Sequence, residues 1–183
     1  MQKLSKGTLY LYYKSKEDLY LAVMMRGKET LSAMFQKVAH SDDSTLARIL
    51  NIGKAYTEFF KTYPNYFRMF QFFQLPHFHK QVSEEMRDEC SLGNRRLWDI
   101  VIGLIQHAIE EKLIRPELNP AELGIILWSS ATSLMLRMDN ESDIWMERMQ
   151  VDLAKTLALS NSLLFSAMLT EKGRTEMASK INS

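Results

Sequence analysis

The stretch SKGTLYLYYKSKEDLYLAV, residues 5–23, decides the fold of this chain. Its first part, residues 6–12, predicts a short helix, and the next two residues predict a turn. Ser15 then stands three positions before Asp18, and a hydroxyl and a carboxylate at that spacing form a capping-box-like helix start. We predict that the helix begun at Ser15 runs to about residue 39.

Length and composition describe a folded chain without a membrane anchor. The 183 residues, 46% of them apolar, suffice for one good core and one or at most two domains. A single cysteine, Cys90, excludes an internal disulfide framework and indicates a reducing cytoplasm. No apolar run approaches the roughly 18–20 residues of a membrane span, and the amino end has no signal-peptide core. We therefore expect a cytoplasmic protein with no membrane partner.

The charges are unevenly distributed along the chain. Residues 1–40 contain seven Lys or Arg and three Asp or Glu, whereas the whole chain has a net charge of only +1. A basic amino end on an acidic body is expected when only that end meets a polyanion. A chance excess of surface lysines is the alternative.

Beyond the opening stretch, the pattern remains helical, because Gly and Pro are few and no sustained period-2 alternation occurs. Loops are predicted at residues 40–45, at IRPELNP before the Asn119 cap, and at MDNESD, residues 138–143. A polar, frayed tail is predicted from residue 171. The predicted helices cover residues 46–63, 65–74, 80–113, 120–138 and 144–169.

The Ser-Lys-Gly-Thr-Leu-Tyr run, the aromatic pair and the Lys-x-Lys-Glu-x-Leu that follow resemble the recognition helix, turn and fourth-helix start of the TetR family of bacterial transcriptional regulators. The close resemblance covers about 19 residues. It implies an all-α, TetR-like helical bundle. Residues 1–39 would hold the remnant of a helix-turn-helix DNA-binding domain, and residues 40–183 a helical effector-binding and dimerisation domain.

The resemblance implies a DNA-contacting set at the amino end. Thr8 and Tyr10 would approach bases or backbone, while Tyr12 and Lys16 would bind phosphates. Tyr13 is better explained as an aromatic that locks the turn, and core packing of Tyr10 or a solvated Lys16 remains the alternative. The DNA-binding residues predicted are Ser5, Lys6, Gly7, Thr8, Tyr10, Tyr12 and Lys16.

The opening stretch also departs from the family pattern. A TetR-type DNA-binding domain has two helices before the recognition helix, whereas only residues 1–4 precede it here. A free helix of about eight residues is marginal in water. We therefore expect this chain alone to bind operator DNA poorly or not at all. The alternative function is an effector-binding and dimerising protein without DNA-binding activity.

The body is rich in aromatic residues and methionines, which suit a pliable pocket for apolar ligands. The resemblance implies a small-molecule effector site here, for an apolar or aromatic compound. Each aromatic residue taken alone is better explained as core. The predicted walls are Phe70, Phe73, Trp98, Ile102, Trp128 and Met135.

The last two predicted helices, near residues 120–138 and 144–169, carry apolar residues on nearly every face. A terminal helix of a monomer keeps one wet side, so both helices are expected to bury a second face against another subunit. The resemblance implies a homodimer joined through a four-helix bundle, which would place two recognition helices on successive turns of the DNA groove.

An enzyme is the main rival class. His77 and His79 lack a third metal ligand nearby, and His107 with Glu110 forms only one helical pair where a di-metal site needs two. The chain has no Gly-rich phosphate loop, no HExxH and no GxSxG. We therefore predict no catalytic residue, no metal and no cofactor. The predicted function is a TetR-like regulator, a repressor that an effector releases from operator DNA.

Overall fold

Helices form nearly all regular structure in the computed structural model, which describes residues 13, 15–72 and 84–181. Within these ranges the only other regular feature is an isolated antiparallel bridge between Ile114 and Leu169. The all-α prediction is therefore confirmed. The helices are α1 Lys16–Ala39, α2 Thr45–Thr62, α3 Pro64–Phe72, α4 Glu84–Glu110, α5 Pro120–Met149, α6 Leu153–Met168 and α7 Glu171–Ile181.

The predicted helix starts at Ser15 and Asn119 are confirmed. The Ser15 side chain accepts a hydrogen bond from the Asp18 amide at 3.0 Å, and α1 follows at once. The Asn119 side chain accepts from the Ala121 and Glu122 amides, with Pro120 in the first turn of α5. Both caps satisfy amides that have no partner within the helix. The predicted short helix at residues 6–12 lies outside the described residues.

The predicted loop at residues 138–143 is wrong, because α5 continues through it to Met149. The polar residues there hydrogen-bond back along the helix: Asn140 Nδ2 donates to the Leu136 carbonyl at 2.8 Å, and Ser142 Oγ to the Met138 carbonyl at 2.7 Å. Arg68 of α3 donates to both carboxylate oxygens of Asp139, at 2.6 and 2.7 Å. This hydrogen bonding holds the pKa of Asp139 below its ordinary value.

The predicted single helix at residues 144–169 is also wrong, because the chain turns between α5 and α6. Gln150 has a φ of 54°, and its amide and that of Val151 bond back to the last turn of α5. Asp152 then caps α6 by accepting from the Ala154 and Lys155 amides at 2.9 and 3.1 Å. The apolar residues at 144–149 thus extend α5, and those at 153–168 form α6.

The tail, predicted to be frayed, instead forms α7, which is fixed to the loop after α4. The Thr170 amide donates to the Leu113 carbonyl at 3.0 Å, and Lys172 Nζ donates to the Glu111 carbonyl at 2.8 Å. Gly173 is buried, and a Cβ added there would overlap the Leu113 carbonyl oxygen. The absence of a side chain at Gly173 therefore lets α7 lie directly on this loop.

The main core lies between the carboxyl-terminal half of α1 and helices α2 to α6. Leu31 and Phe35 of α1 belong to it and are almost completely buried. A smaller cluster of Leu21, Met24 and Cys90 joins the amino-terminal half of α1 to α4. Packing is thus continuous across the predicted domain boundary at residues 39 and 40, and the division into two domains stays a prediction.

Candidate functional site: two adjoining cavities

A large cavity of about 850 Å³ lies between α2, α4, α5, α6 and α7. Its volume is within the roughly 300–1,000 Å³ of small-molecule sites. Most of the side chains around it are apolar, so burial of a ligand's hydrocarbon surface would be the main source of affinity. Representative wall residues are Ile52, Tyr56, Leu104, Trp128, Leu157 and Phe165.

An aromatic stack forms one wall of the large cavity. The Tyr56 ring lies against the Trp128 ring with centroids 4.1 Å apart and an interplanar angle of 18°, and Trp98 lies 5.7 Å from Trp128. The Tyr56 hydroxyl shares a buried 2.8 Å hydrogen bond with Thr132 Oγ1. Burial raises the pKa of Tyr56 well above its ordinary value, although the bond from Thr132 opposes the shift. Tyr56 is therefore neutral at physiological pH, and its hydroxyl already has a partner.

Charged side chains line the same cavity toward solvent. Lys54, Glu58 and Lys61 project from α2, and Arg174 projects from α7. All four residues are exposed. The cavity therefore combines an apolar interior with a charged mouth.

A smaller cavity of about 310 Å³ adjoins the large one. Met24 and Lys28 of α1 line it, together with Phe70 of α3 and Cys90 of α4. Lys28 Nζ donates to Cys90 Sγ at 3.3 Å. Trp98, Val101 and Trp128 line both cavities, so one shared wall separates them. A displacement of this wall would therefore change the shape of the smaller cavity, which α1 helps to line.

The structure brings together some of the residues predicted to bind a ligand. Trp98 and Trp128 line both cavities, and Phe70 lines the smaller one. Met135 is completely buried in the core, Ile102 is half-buried on α4, and neither lines either cavity. Phe73 lies outside the described residues. The predicted ligand set as a whole stays a prediction.

Sequence reasoning missed the contributions of α2, α6 and α7 to the large cavity. Tyr56 on α2 and Phe165 on α6 resemble members of ordinary apolar faces, because their spacing is that of core residues. The sequence did offer one signal of open space beside α2: Gly53, which lies in the middle of the helix among these apolar residues and lines the cavity. A Cβ added at Gly53 would meet no atom within 4 Å.

Most of the predicted DNA-binding residues cannot be placed, because Ser5, Lys6, Gly7, Thr8, Tyr10 and Tyr12 lie outside the described residues. Lys16 is described as the first residue of α1 and is exposed. Its Nζ lies 5.5 Å from the centroid of the Tyr20 ring. The phosphate-binding role of Lys16 stays a prediction.

Metal-site geometry is absent from the described part of the chain, where no three His, Cys, Asp or Glu residues form a cluster. His107 lies 3.7 Å from Glu110 and 3.5 Å from Glu111 on the exposed side of α4. His77 and His79 lie outside the described residues. In residues 13, 15–72 and 84–181, no helix is both long and apolar enough to cross a bilayer.

The outer faces of α5 and α6 expose large apolar side chains. Ile125 and Ile126 of α5 are 56% and 49% exposed, and Leu159 and Leu163 of α6 are 58% and 62% exposed. The two helices pack on each other, with a 2.9 Å hydrogen bond between the Ser130 and Ser160 hydroxyls. Together these faces form an apolar surface on one helix pair.

Comparison with known proteins shows the fold. No protein-family model matches the sequence, and no curated protein matches it significantly. Among solved structures, a protein of unknown function from Rhodococcus sp. RHA1 is 10% identical with a TM-score of 0.68, covering 87% of this chain and 77% of its own.

Two structures of regulators are also similar to this chain. The MbdR regulator from Azoarcus sp. CIB is 14% identical with a TM-score of 0.66, covering 90% of this chain and 83% of its own. The TetR family transcriptional regulator PfmR from Thermus thermophilus is 19% identical with a TM-score of 0.58, covering 88% and 76%. The chain therefore has the all-α, TetR-like fold that these regulators share.

Proposed function

We propose that this protein is a TetR-family transcriptional regulator, a cytoplasmic repressor that binds operator DNA as a homodimer and is released by a small apolar effector. The observation that carries the proposal is the apolar cavity of about 850 Å³ in a fold shared with transcriptional regulators. Residues 5–16 would contact DNA, and the cavity would bind the effector.

The contacts around the two cavities support coupling between effector and DNA. Trp98 and Trp128 touch the large cavity on one side and the smaller cavity on the other. Met24 and Lys28 of α1 form the far wall of the smaller cavity. Since α1 follows the predicted recognition segment in the sequence, a ligand that moves the Trp98–Trp128 wall would also move the DNA-contacting end. The effector needs only to prefer the released conformation, and its differential affinity sets the maximal shift.

The exposed apolar faces of α5 and α6 support the homodimer. Burial of Ile125, Ile126, Leu159 and Leu163 against a second copy would remove four large apolar side chains from water. A two-fold axis through this surface gives each partner the same patch. The same symmetry would present two recognition segments to two half-sites of the operator.

A selection of random DNA sequences by the protein tests the DNA-binding part of this proposal. The enriched sequence is then titrated with the protein by fluorescence anisotropy at several salt concentrations. Any sequence that is enriched should be an inverted repeat, because a two-fold dimer reads two equivalent half-sites. Lys16→Gln should weaken binding to all sequences and reduce the salt dependence, because a phosphate contact carries no sequence information.

Lys37→Gln is the matched control, since Lys37 is an exposed lysine in the last turn of the same helix. It should leave DNA binding unchanged. If no sequence is enriched although the protein dimerises and binds ligands, this chain does not bind DNA by itself, and its own function is that of an effector-binding, dimerising protein.

A further inference from the structure

Three cationic side chains border the large cavity. Lys54 and Lys61 stand on one face of α2, and Arg174 stands on α7, with Glu58 as the one carboxylate in the cavity lining. The charged groups in the lining therefore sum to a positive charge. A positive rim on an apolar cavity attracts anions and orients those that carry an apolar portion.

These three cations also differ from four other basic side chains of the body. Arg68, Arg115, Arg137 and Lys155 each form an ion pair with an Asp or Glu within 4 Å. Lys54, Lys61 and Arg174 form no such pair with any carboxylate of the described residues. Their charges are therefore available to a ligand.

Polar groups deeper in the cavity wall are already satisfied. The Tyr56 hydroxyl bonds to Thr132 at 2.8 Å, and the Thr57 hydroxyl donates to the Gly53 carbonyl at 3.0 Å. Each of these hydroxyls already has a hydrogen-bond partner and none is charged, so an anionic group placed at this depth would lose its water without meeting an opposite charge. Polar recognition by charged groups is thus confined to the mouth, while the depth accepts hydrocarbon.

We infer that the large cavity binds an amphipathic anion, with an apolar chain or ring system inside and a carboxylate at Lys54, Lys61 and Arg174. This inference rests on the proposed function, because it names the class of effector that would occupy the same cavity. Apolar burial would supply most of the affinity, and the three partly solvated cations would supply the preference for an anion.

Tryptophan fluorescence provides the test, because Trp98 and Trp128 line the cavity and Trp145 does not. A Trp145→Phe background leaves only the two reporters in the wall. Decanoate and decan-1-ol serve as probes, since they have the same chain length and differ in charge. We expect decanoate to bind about tenfold more tightly than decan-1-ol, given the small contribution of each solvated ion pair.

The triple variant Lys54→Gln, Lys61→Gln, Arg174→Gln should abolish this preference, so that decanoate binds no more tightly than decan-1-ol. The matched control is Lys37→Gln, Arg95→Gln, Arg96→Gln, which removes the same charge from exposed side chains outside the cavity lining. The control should keep the full preference. High salt should reduce the preference in the parent protein, because the mouth is open to solvent.

Equal affinity for the two probes, or a preference that persists in the cavity triple variant, would overturn the anionic ligand while leaving the cavity as an effector site. Failure of both probes to bind would overturn the inference together with the apolar-effector part of the proposed function. The DNA selection is independent of either result, so the DNA-binding role stands or falls separately.

Discussion

Tyr56 combines core packing, a buried hydrogen bond and a place in the wall of the large cavity. It is 3% exposed, stacks on Trp128 and shares its hydroxyl with Thr132, which lies 76 residues away in the sequence. Removal of the hydroxyl would leave the buried Thr132 side chain without this partner. A buried hydroxyl that loses its bond costs more than an exposed one, since no water replaces it.

Tyr56→Phe should therefore lower the free energy of unfolding by about 1 kcal/mol at neutral pH, as measured by denaturant titration. Burial raises the pKa of Tyr56 in the folded chain. The unfolded chain thus loses the phenolic proton first, above about pH 10, and the folded protein loses stability as the pH rises. The phenylalanine variant lacks this loss, so the difference between the two proteins should narrow above about pH 10.

Tyr63→Phe is the control for this prediction, because Tyr63 is 38% exposed. It should change the stability little at either pH. A gap between parent and Tyr56→Phe that stays constant up to high pH would contradict the burial of the hydroxyl.

Two glycines in helices have opposite surroundings, which predicts opposite effects of alanine. A Cβ at Gly53 meets no atom within 4 Å, whereas a Cβ at Gly173 would overlap the Leu113 carbonyl oxygen. Gly53→Ala should raise the free energy of unfolding by roughly 0.5–1 kcal/mol, because glycine is a poor residue for a helix interior. Gly173→Ala should lower the free energy of unfolding by roughly 1–3 kcal/mol, because the backbone at Leu113 or in α7 must shift to make room for the Cβ. Chemical denaturation of both variants measures these changes in the free energy of unfolding. Effects of the same sign would refute the described packing of α7.

At the scale of elements, the turn between α5 and α6 depends on its caps. Gln150 in the left-handed region ends α5, and Asp152 begins α6 two residues later. Asp152 accepts from two amides, which a shorter apolar side chain cannot do. The direction of α6, and with it the wall of the large cavity, is set at this turn.

Asp152→Ala should lower the free energy of unfolding by about 1 kcal/mol, because the first-turn amides of α6 lose their acceptor. Asp143→Ala is the matched control, since Asp143 is an exposed residue of α5 outside its caps. Urea titrations of the two variants provide the comparison. Equal stability of the Asp152 and Asp143 variants would show that the cap contributes nothing.

At the scale of the whole molecule, the outer faces of α5 and α6 expose several large apolar side chains to water. Leu163 of α6 is 62% exposed in the single chain, and Ile125 of α5 is 56% exposed. A second copy that covers this face would bury both. The proposed dimer would thus depend on the assembled helix pair, since neither helix alone presents the full surface.

Leu163→Glu should convert the protein from a dimer to a monomer, because it would place a carboxylate of each copy in the apolar surface that the proposed dimer buries. The mass measured by multi-angle light scattering at micromolar concentration should then fall from twice 21.3 kDa to 21.3 kDa. Leu92→Glu is the control, because Leu92 is 57% exposed on α4, outside this face. A parent protein that is itself monomeric would refute the proposed interface.

The sequence by itself determined the all-α class, the caps at Ser15 and Asn119, and the likeness of residues 5–23 to a recognition segment. These signals were readable because a cap and its amides lie within three residues of each other, and an apolar stripe repeats within a few turns. Three aromatic wall residues of the two cavities, Phe70, Trp98 and Trp128, were also named from the sequence.

Only the tertiary structure decided that α5 continues through residues 138–143, that the tail forms α7, and that α2 and α6 enclose a cavity. The reason is distance along the chain. Asp139 is held by Arg68, 71 residues earlier, and Thr170 bonds to Leu113, 57 residues earlier. A local sequence pattern does not indicate partners that lie so far apart in the chain. It does not indicate empty space either, because core residues and cavity walls share the same apolar spacing.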